Sequence, residues 1–284
     1  MEVCCGNVIR PDKRLPRGHS EEQIRVAQAK HRQRLVEHWQ IPEGARVLEL
    51  GCGQGDTTKV LARAVGREGR VLAIDTADPS YGGPVTIGEA TRQVKASHVG
   101  GSIEFRLSFN VLDPAVRFTG DEFDFVVMAH SSWYFESLAQ LGETLERIRP
   151  WARRLCFAEW DLLPKSPAQT AHLLAVLIQG QVEGFKSTSL ANVRTPFPRS
   201  TAIRLLAETG WSVVTEDWIE TTWLQDADWE IAACLAGAVR EADAAGMPAK
   251  CVDFIRAETE ALWEIAAPLH NRPLPCYSIV AERM

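Results

Sequence analysis

The sequence predicts an α/β protein built on one mostly parallel sheet of seven strands with helices on both faces. Through residues 40–165, short apolar segments that suit strands alternate with amphipathic segments that suit helices. Segment 123–128 is a continuous apolar run, as expected for a strand that is covered on both faces. A glycine-rich turn follows the first strand, and this arrangement is typical of sheets that bind a nucleotide.

The predicted elements begin with a helix that Ser20 caps and that ends near Gln40, before Pro42 and Gly44. Strands are then expected at 46–50, 71–74, 103–107, 123–128 and 154–158, with helices at 57–65, 87–97 and 138–148. The later part of the chain is mainly helical. It is expected to have helices at 167–182, 200–209, 227–244 and 251–265, and strands at 211–221 and 277–282.

We expect a single domain at 19–284, preceded by a flexible arm at 1–18. Its core covers about 40–165 and the strands near 211–221 and 277–283. The other helices, at about 19–40, 167–199 and 226–270, are expected to form a cap over the site. Most tryptophans of this later part are expected in the core, and a few in an apolar lid: Trp211, Trp218, Trp223, Trp229 and Trp263.

The composition is that of an ordinary globular protein, with 45% hydrophobic and 24% charged residues in a chain of 284. The net charge of -6 argues against a large phosphate-binding surface, so we expect no nucleic-acid partner. No Cys-x-x-Cys pair occurs among the seven cysteines, so no metal site is expected. Neither a signal segment nor a membrane span is expected, which favours a cytoplasmic location. The oligomeric state is left open, a homodimer included.

The turn after the first strand carries the main functional signal. Residues 49–55 read Glu-Leu-Gly-Cys-Gly-Gln-Gly, and Asp56 follows. Asp75 ends the second strand, where an acid can accept hydrogen bonds from ribose hydroxyls. A nicotinamide-binding turn has a third glycine where Asp56 stands, and a carboxylate there would repel a diphosphate. The acids therefore favour a cationic nucleoside that carries no phosphate.

Residues 49–55 resemble motif I of the class I (Rossmann-like) S-adenosylmethionine-dependent methyltransferases, and the resemblance spans roughly 45–160. It implies S-adenosyl-L-methionine as cofactor and S-adenosyl-L-homocysteine as product. In this family the glycine turn holds the methionine part, and by position Asn110 would bind the adenine, with Asp113 as the alternative. The cofactor contacts that the resemblance implies are Glu49, Gly51, Cys52, Gly53, Gln54, Asp75, Thr76, Asn110, Val111 and His130.

Residues after the fourth strand are expected beside the sulfonium and the methyl acceptor, because ligands lie outside the carboxyl ends of such strands. His130 is a candidate general base or a hydrogen bonder that shapes the pocket. Trp133 and Tyr134 are candidate substrate contacts in an aromatic wall, with packing in the core as the alternative. Asp124, at the start of this strand, is expected to be structural.

Trp160 is a further candidate substrate contact. The acids on either side of it, Glu159 and Asp161, are expected to be solvated loop residues, with binding of a substrate cation, or of a metal together with further ligands, as the alternatives. His172 and His270 are expected to be surface or packing residues. The N-terminal helix, with His19 and His31, is expected to close the same site.

The sequence therefore predicts methyl transfer to an oxygen or nitrogen of a small molecule, in a setting of secondary metabolism. Methylation of nucleic acid or protein is one alternative, although residues 130–133 lack the Asn/Asp-Pro-Pro-aromatic stretch of base-amine methyltransferases. The others are a scaffold that binds the cofactor without transferring methyl, and a nicotinamide oxidoreductase, which Asp56 disfavours.

Overall fold

The computed structural model describes residues 20–266 and 271–284. The predicted arm at 1–18, His19 and His270 lie outside the described residues. The strands are β1 (Arg46–Leu50), β2 (Arg70–Ile74), β3 (Ile103–Arg106), β4 (Phe123–Ala129), β5 (Ala152–Trp160), β6 (Trp211–Ile219) and β7 (Cys276–Arg283). The helices are α1 (Glu21–Trp39), α2 (Asp56–Val65), α3 (Ile87–Lys95), α4 (Leu138–Ile148), α5 (Thr170–Glu183), α6 (Arg199–Glu208), α7 (Asp226–Ala244) and α8 (Ala249–Ala266).

The seven strands form one sheet in the order β3-β2-β1-β4-β5-β7-β6. The strands from β1 to β5 pair in parallel, while β7 runs antiparallel to both β5 and β6. The predicted seven-stranded, mostly parallel sheet is confirmed. Because β7 is reversed, its first residue lies at the same edge as the carboxyl ends of β1, β2, β4 and β5.

Alternate residues of the central strands enter two separate apolar clusters, one on each face of the sheet. Leu48, Val126 and Leu155 belong to the first cluster. Their neighbours Val47 and Val127 belong to the second, which α1 and α2 cover. Burial on both faces explains why these strands are continuously apolar.

A third apolar cluster holds α5, α7 and α8 together, and their role as a cap over the site stays a prediction. The helix α1 joins the sheet instead. Ser20 and Gln23 form a capping box at its start, and Trp39 near its end donates a hydrogen bond from Nε1 to Ser278 Oγ of β7 at 2.8 Å. In the described part of the chain, no helix combines the length and apolar content needed to cross a bilayer.

The prediction that most of the later tryptophans are core residues is wrong. Trp211 is buried, but Trp218, Trp223, Trp229 and Trp263 are 39% to 56% exposed. The ring of Trp218 packs under the ammonium of Lys165, 3.1 Å from its centroid, and the ring of Trp223 lies under the guanidinium of Arg34. These rings cover charged side chains at the surface and do not fill the interior.

Replacing Ser278 with alanine should lower the free energy of unfolding by about 1–3 kcal/mol, because the buried Trp39 Nε1 loses its acceptor. Urea denaturation measures the change. Ser212→Ala, at an exposed position of β6, serves as the control. Equal effects of the two substitutions would contradict the anchoring role of this hydrogen bond.

Candidate functional site

The turn after β1 lies directly against the end of β4. The amides of Gly51 and Cys52 donate to the carbonyl of Ile74 at 2.9 and 3.1 Å, and Gly51 has a φ of +74°. A Cβ at Gly51 would lie 2.5 Å from the Cβ of Ser131, closer than carbon atoms can approach. Ser131 also donates from its hydroxyl to the carbonyl of Leu50 at 3.1 Å. Only glycine fits at this point of the turn.

The open side of the same turn faces Asp75. The amide of Gly53 donates to Asp75 Oδ2 at 2.8 Å, and that of Ala77 donates to Oδ1 at 2.9 Å. Each oxygen keeps a second lone pair for a ligand hydroxyl. A Cβ at Gly53 would meet nothing within 4 Å, so there is free space above the backbone. The turn and Asp75 therefore form an open cradle in which both carboxylate oxygens can accept further hydrogen bonds from hydroxyl groups.

Glu49 is a buried acid beneath the turn. Its Oε2 accepts a hydrogen bond from Thr58 Oγ1 at 2.6 Å. Burial raises the pKa of Glu49 to about 8; the Thr58 bond opposes the rise, and Asp75 and Asp56 add to it. Within residues 20–266 and 271–284, Glu49 has no basic partner at ion-pair distance, whereas Asp56 pairs with Lys59 at 2.8 Å. A cationic ligand at the turn would offset the burial of this carboxylate.

The other predicted cofactor residues follow the same edge. Cys52 is buried, and this burial raises the pKa of its thiol. The charges of Glu49 and Asp75 contribute further to the rise. Gln54 donates from Nε2 to the carbonyl of Val85 at 2.7 Å and so joins the turn to the loop after β2. Thr76, in that loop, is exposed.

The loop after β3 holds the residues that the resemblance assigns to the adenine. Asn110 is exposed, and its Oδ1 accepts a hydrogen bond from the amide of Leu112 at 2.9 Å. Val111 is buried in the first apolar cluster. Asp113 caps the next turn by accepting from the amide of Ala115.

His130 follows β4 in a left-handed backbone conformation, with a φ of +51°, which is uncommon for residues other than glycine. Its amide donates to the carbonyl of Ala158 at 2.9 Å. Its Nδ1 lies 3.3 Å from Glu159 Oε1, and its Nε2 lies 2.8 Å from the Nε2 of His31. Both ring nitrogens thus have protein partners, and the general-base role of His130 stays a prediction.

Three side chains from distant parts of the chain meet at this point. His31 lies on the face of α1 that also carries Leu35 and Trp39, four and eight residues later, and the packing of this face against the sheet buries it. Burial and the neighbouring His130 lower the pKa of His31 well below its ordinary value. Cys276 begins β7, and its Sγ lies 3.7 Å from His130 Nε2. Burial raises the pKa of this thiol well above its ordinary value.

The expectation that Glu159 and Asp161 are solvated is wrong, because both are buried. The strand β5 is longer than predicted and includes Glu159. The Oε2 of Glu159 accepts from the amide and hydroxyl of Ser132 at 3.1 and 2.8 Å, and its Oε1 accepts from the amide of Trp160 at 3.0 Å. Asp161 accepts from the amide of Arg199 at 2.9 Å. The two acids anchor loops around the site.

The predicted aromatic contacts divide between core and surface. Trp133 is buried in the first apolar cluster, while Tyr134 is 40% exposed. The ring of Trp160 stacks on that of His31 at 6.2 Å between centroids and lies 4.7 Å from that of His130. Trp160 therefore packs against the two histidines.

Two predicted structural residues have structural partners. Asp124 pairs with Arg46 at 3.0 Å, and this partner lowers the pKa of Asp124. His172 is buried, its Nδ1 accepts from the amide of Leu274 at 2.9 Å, and burial lowers its pKa to about 3.

A cleft of about 380 Å³ lies between α1 and residues 220–225. The buried His31 is among its lining residues, together with Ala27, Glu220 and Trp223. The cleft therefore reaches the histidine cluster.

Known proteins resemble this chain in sequence and in fold. Residues 47–154 match the family model described as a methyltransferase domain. The crystal structure of a cyclopropane-fatty-acyl-phospholipid synthase-like protein from Lactobacillus casei superposes with a TM-score of 0.82 at 30% identity, over 94% of this chain and 95% of that one.

Curated proteins match shorter segments. Methyltransferase phomM' of Diaporthe leptostromiformis is 29% identical over 202 residues, which are 60% of this chain and 51% of the relative. The chain thus spans about half the length of that relative. A 2-phytyl-1,4-naphtoquinone methyltransferase of Thermosynechococcus vestitus is 50% identical over 46 residues, 16% of this chain. The family match, the sheet order and the cradle at the glycine turn agree: the chain belongs to the class I, Rossmann-like S-adenosylmethionine-dependent methyltransferases, and its cofactor is S-adenosyl-L-methionine.

Proposed function

We propose that the protein transfers the methyl group of S-adenosylmethionine to an oxygen or nitrogen of a small molecule, and that it serves secondary metabolism. The observation that carries the proposal is the buried carboxylate of Glu49 beneath an open glycine turn. Its burial costs free energy that a cationic ligand offsets. The bound cofactor supplies an activated methyl group on a cationic sulfonium.

The protein's own residues bind and orient this cofactor. The backbone at Gly51 and Gly53, with Glu49 below, holds the methionine part, and Asp75 accepts hydrogen bonds from the ribose. Asn110 and Val111 contact the adenine, and Cys52, Gln54 and Thr76 lie along the same edge of the sheet. Fixing the donor in this way contributes on the order of 7–11 kcal/mol to catalysis at best, when the acceptor is equally well placed.

In this proposal the acceptor lies beside His130 and the aromatic side chains of Trp133, Tyr134 and Trp160. A small molecule is favoured because α1 covers this region. Gln28 of α1 donates from Nε2 to Asp226 Oδ2 of α7 at 2.9 Å, and His31 is only 2% exposed. A helix held in this way favours a small acceptor over a duplex or a folded protein. The quinone in the name of the Thermosynechococcus relative is itself a small molecule.

Formation of S-adenosylhomocysteine from a panel of small phenols, quinols and amines tests the proposal. Parallel reactions with RNA, DNA and protein extracts use the same labelled cofactor. We expect product with a member of the small-molecule panel. Labelled macromolecules would favour the nucleic-acid or protein alternative. Tight cofactor binding without product from any acceptor would favour the scaffold.

Asp75→Ala should weaken binding of S-adenosylhomocysteine at least about tenfold, since it removes the charged acceptor for the ribose hydroxyls. Titration calorimetry measures the affinity, and circular dichroism checks the fold. The exposed Asp78, in the same loop, provides the matched control Asp78→Ala. An unchanged affinity of Asp75→Ala would contradict the ribose assignment.

Glu49→Gln should remove a pH-dependent cost from the ligand-free protein. The pKa of Glu49 is raised to about 8 by burial, so between about pH 5 and pH 8 the unfolded chain loses a proton that the folded chain keeps. The wild type should therefore lose stability relative to Glu49→Gln as the pH rises, by up to about 1.4 kcal/mol per pH unit.

Urea denaturation at several pH values measures this difference. Glu104→Gln, at an exposed position of β3, is the matched control and should track the wild type. A stability difference between Glu49→Gln and the wild type that does not change with pH would rule out the buried, protonated carboxyl.

A further inference from the structure

The convergence of His31, His130 and Cys276 is not required by cofactor binding. One ring nitrogen of each histidine and the Sγ of Cys276 all lie within 4.8 Å of one another. Two imidazole nitrogens and a thiolate are the ligand types that zinc prefers in proteins. We propose that these three atoms bind one Zn²⁺ ion, with a fourth position left for water or for the methyl acceptor.

The distances are close to those of a zinc site. With Zn–N near 2.0–2.1 Å and Zn–S near 2.3 Å, a tetrahedral site places nitrogen and sulfur about 3.6 Å apart and two nitrogens about 3.3 Å apart. Here Cys276 Sγ and His130 Nε2 are 3.7 Å apart, and the two Nε2 atoms are 2.8 Å apart. Binding an ion between the rings therefore requires the two nitrogens to move about 0.5 Å further apart, a shift of the size that a small rotation of the His31 side chain gives.

The ligands come from elements that the fold fixes independently. The fourth strand ends at Ala129, so His130 sits at the carboxyl edge. Cys276 lies opposite Trp160 in the antiparallel pair of β5 and β7, at the same edge. The helix α1 is held on the sheet by Trp39, two turns beyond His31. A site preorganised by three separate elements binds a metal ion without having to order them first.

The surroundings also suit a metal ion. Glu159 Oε1 lies 3.3 Å from His130 Nδ1, which leaves Nε2 as the coordinating atom. Such a carboxylate–histidine pair fixes the ring and strengthens it as a ligand. Among the described residues, His130 is the basic group at ion-pair distance from Glu159. One Zn²⁺, one thiolate and this carboxylate sum to no net charge, so the ion would not be an uncompensated buried charge.

The cleft between α1 and residues 220–225 gives the ion a path from solvent, because the buried His31 is among its lining residues. Three protein ligands leave the fourth coordination position open, as in catalytic zinc sites. An acceptor hydroxyl bound there would become more acidic beside the ion. The inference does not depend on which acceptor is methylated.

The test measures zinc bound to the purified, untagged chain. Cys4 and Cys5 are replaced by serine in every preparation, because adjacent thiols bind zinc by themselves. After treatment with chelator and reloading, elemental analysis and competition with a chromophoric chelator give stoichiometry and affinity. We expect about one zinc per chain, and at least about tenfold weaker binding in Cys276→Ser and in His31→Gln.

Two matched controls remove a cysteine and a histidine elsewhere. Cys251→Ser and His98→Gln lie outside the cluster and should bind zinc as the parent does. Cobalt in place of zinc should give thiolate-to-metal charge-transfer absorption in the parent and lose it in Cys276→Ser. Substoichiometric zinc and no such absorption in the parent would overturn the proposal, as would unchanged zinc binding in both cluster variants. S-adenosylhomocysteine binding, measured on the same samples, reports separately on the proposed function.

Discussion

The close approach of Gly51 to Ser131 is the constraint on which the site depends. It allows the turn after β1 to fold over the end of β4, because no side chain stands between them. The same approach brings Gly53 over Asp75 and leaves His130 next to the turn. The parallel strands, buried on both faces, hold these ends at one edge. A larger residue at Gly51 would push the turn away from the end of β4.

The acids give this edge its chemical character. Glu49 is buried without a basic partner among the described residues, and Asp75 lies close enough to raise its pKa. A diphosphate would add negative charge to such a place, while an ammonium or a sulfonium would relieve it. The electrostatics thus separate a methyl donor from a nicotinamide dinucleotide, although both bind to sheets of related topology.

Patterns that depend on sequence neighbours were predictable. The alternation of strands and helices gave the sheet, and residues 49–56 with Asp75 indicated the cofactor. The cluster of His31, His130 and Cys276 was not predictable, because its members are brought together by the reversed β7 and by α1. The spacing of His31, Leu35 and Trp39 on one helix face was the available signal. The exposed tryptophans were missed because their partners are cationic side chains in other elements.

The central claim is that the turn after β1 binds a positively charged nucleoside without phosphate. Titration calorimetry of the wild-type protein with S-adenosylmethionine and, separately, with NADH tests it directly. We expect saturable binding of S-adenosylmethionine and no measurable binding of NADH. Because Glu49 is buried, added salt should weaken the binding of S-adenosylmethionine only a little. Tighter binding of NADH than of S-adenosylmethionine would contradict it.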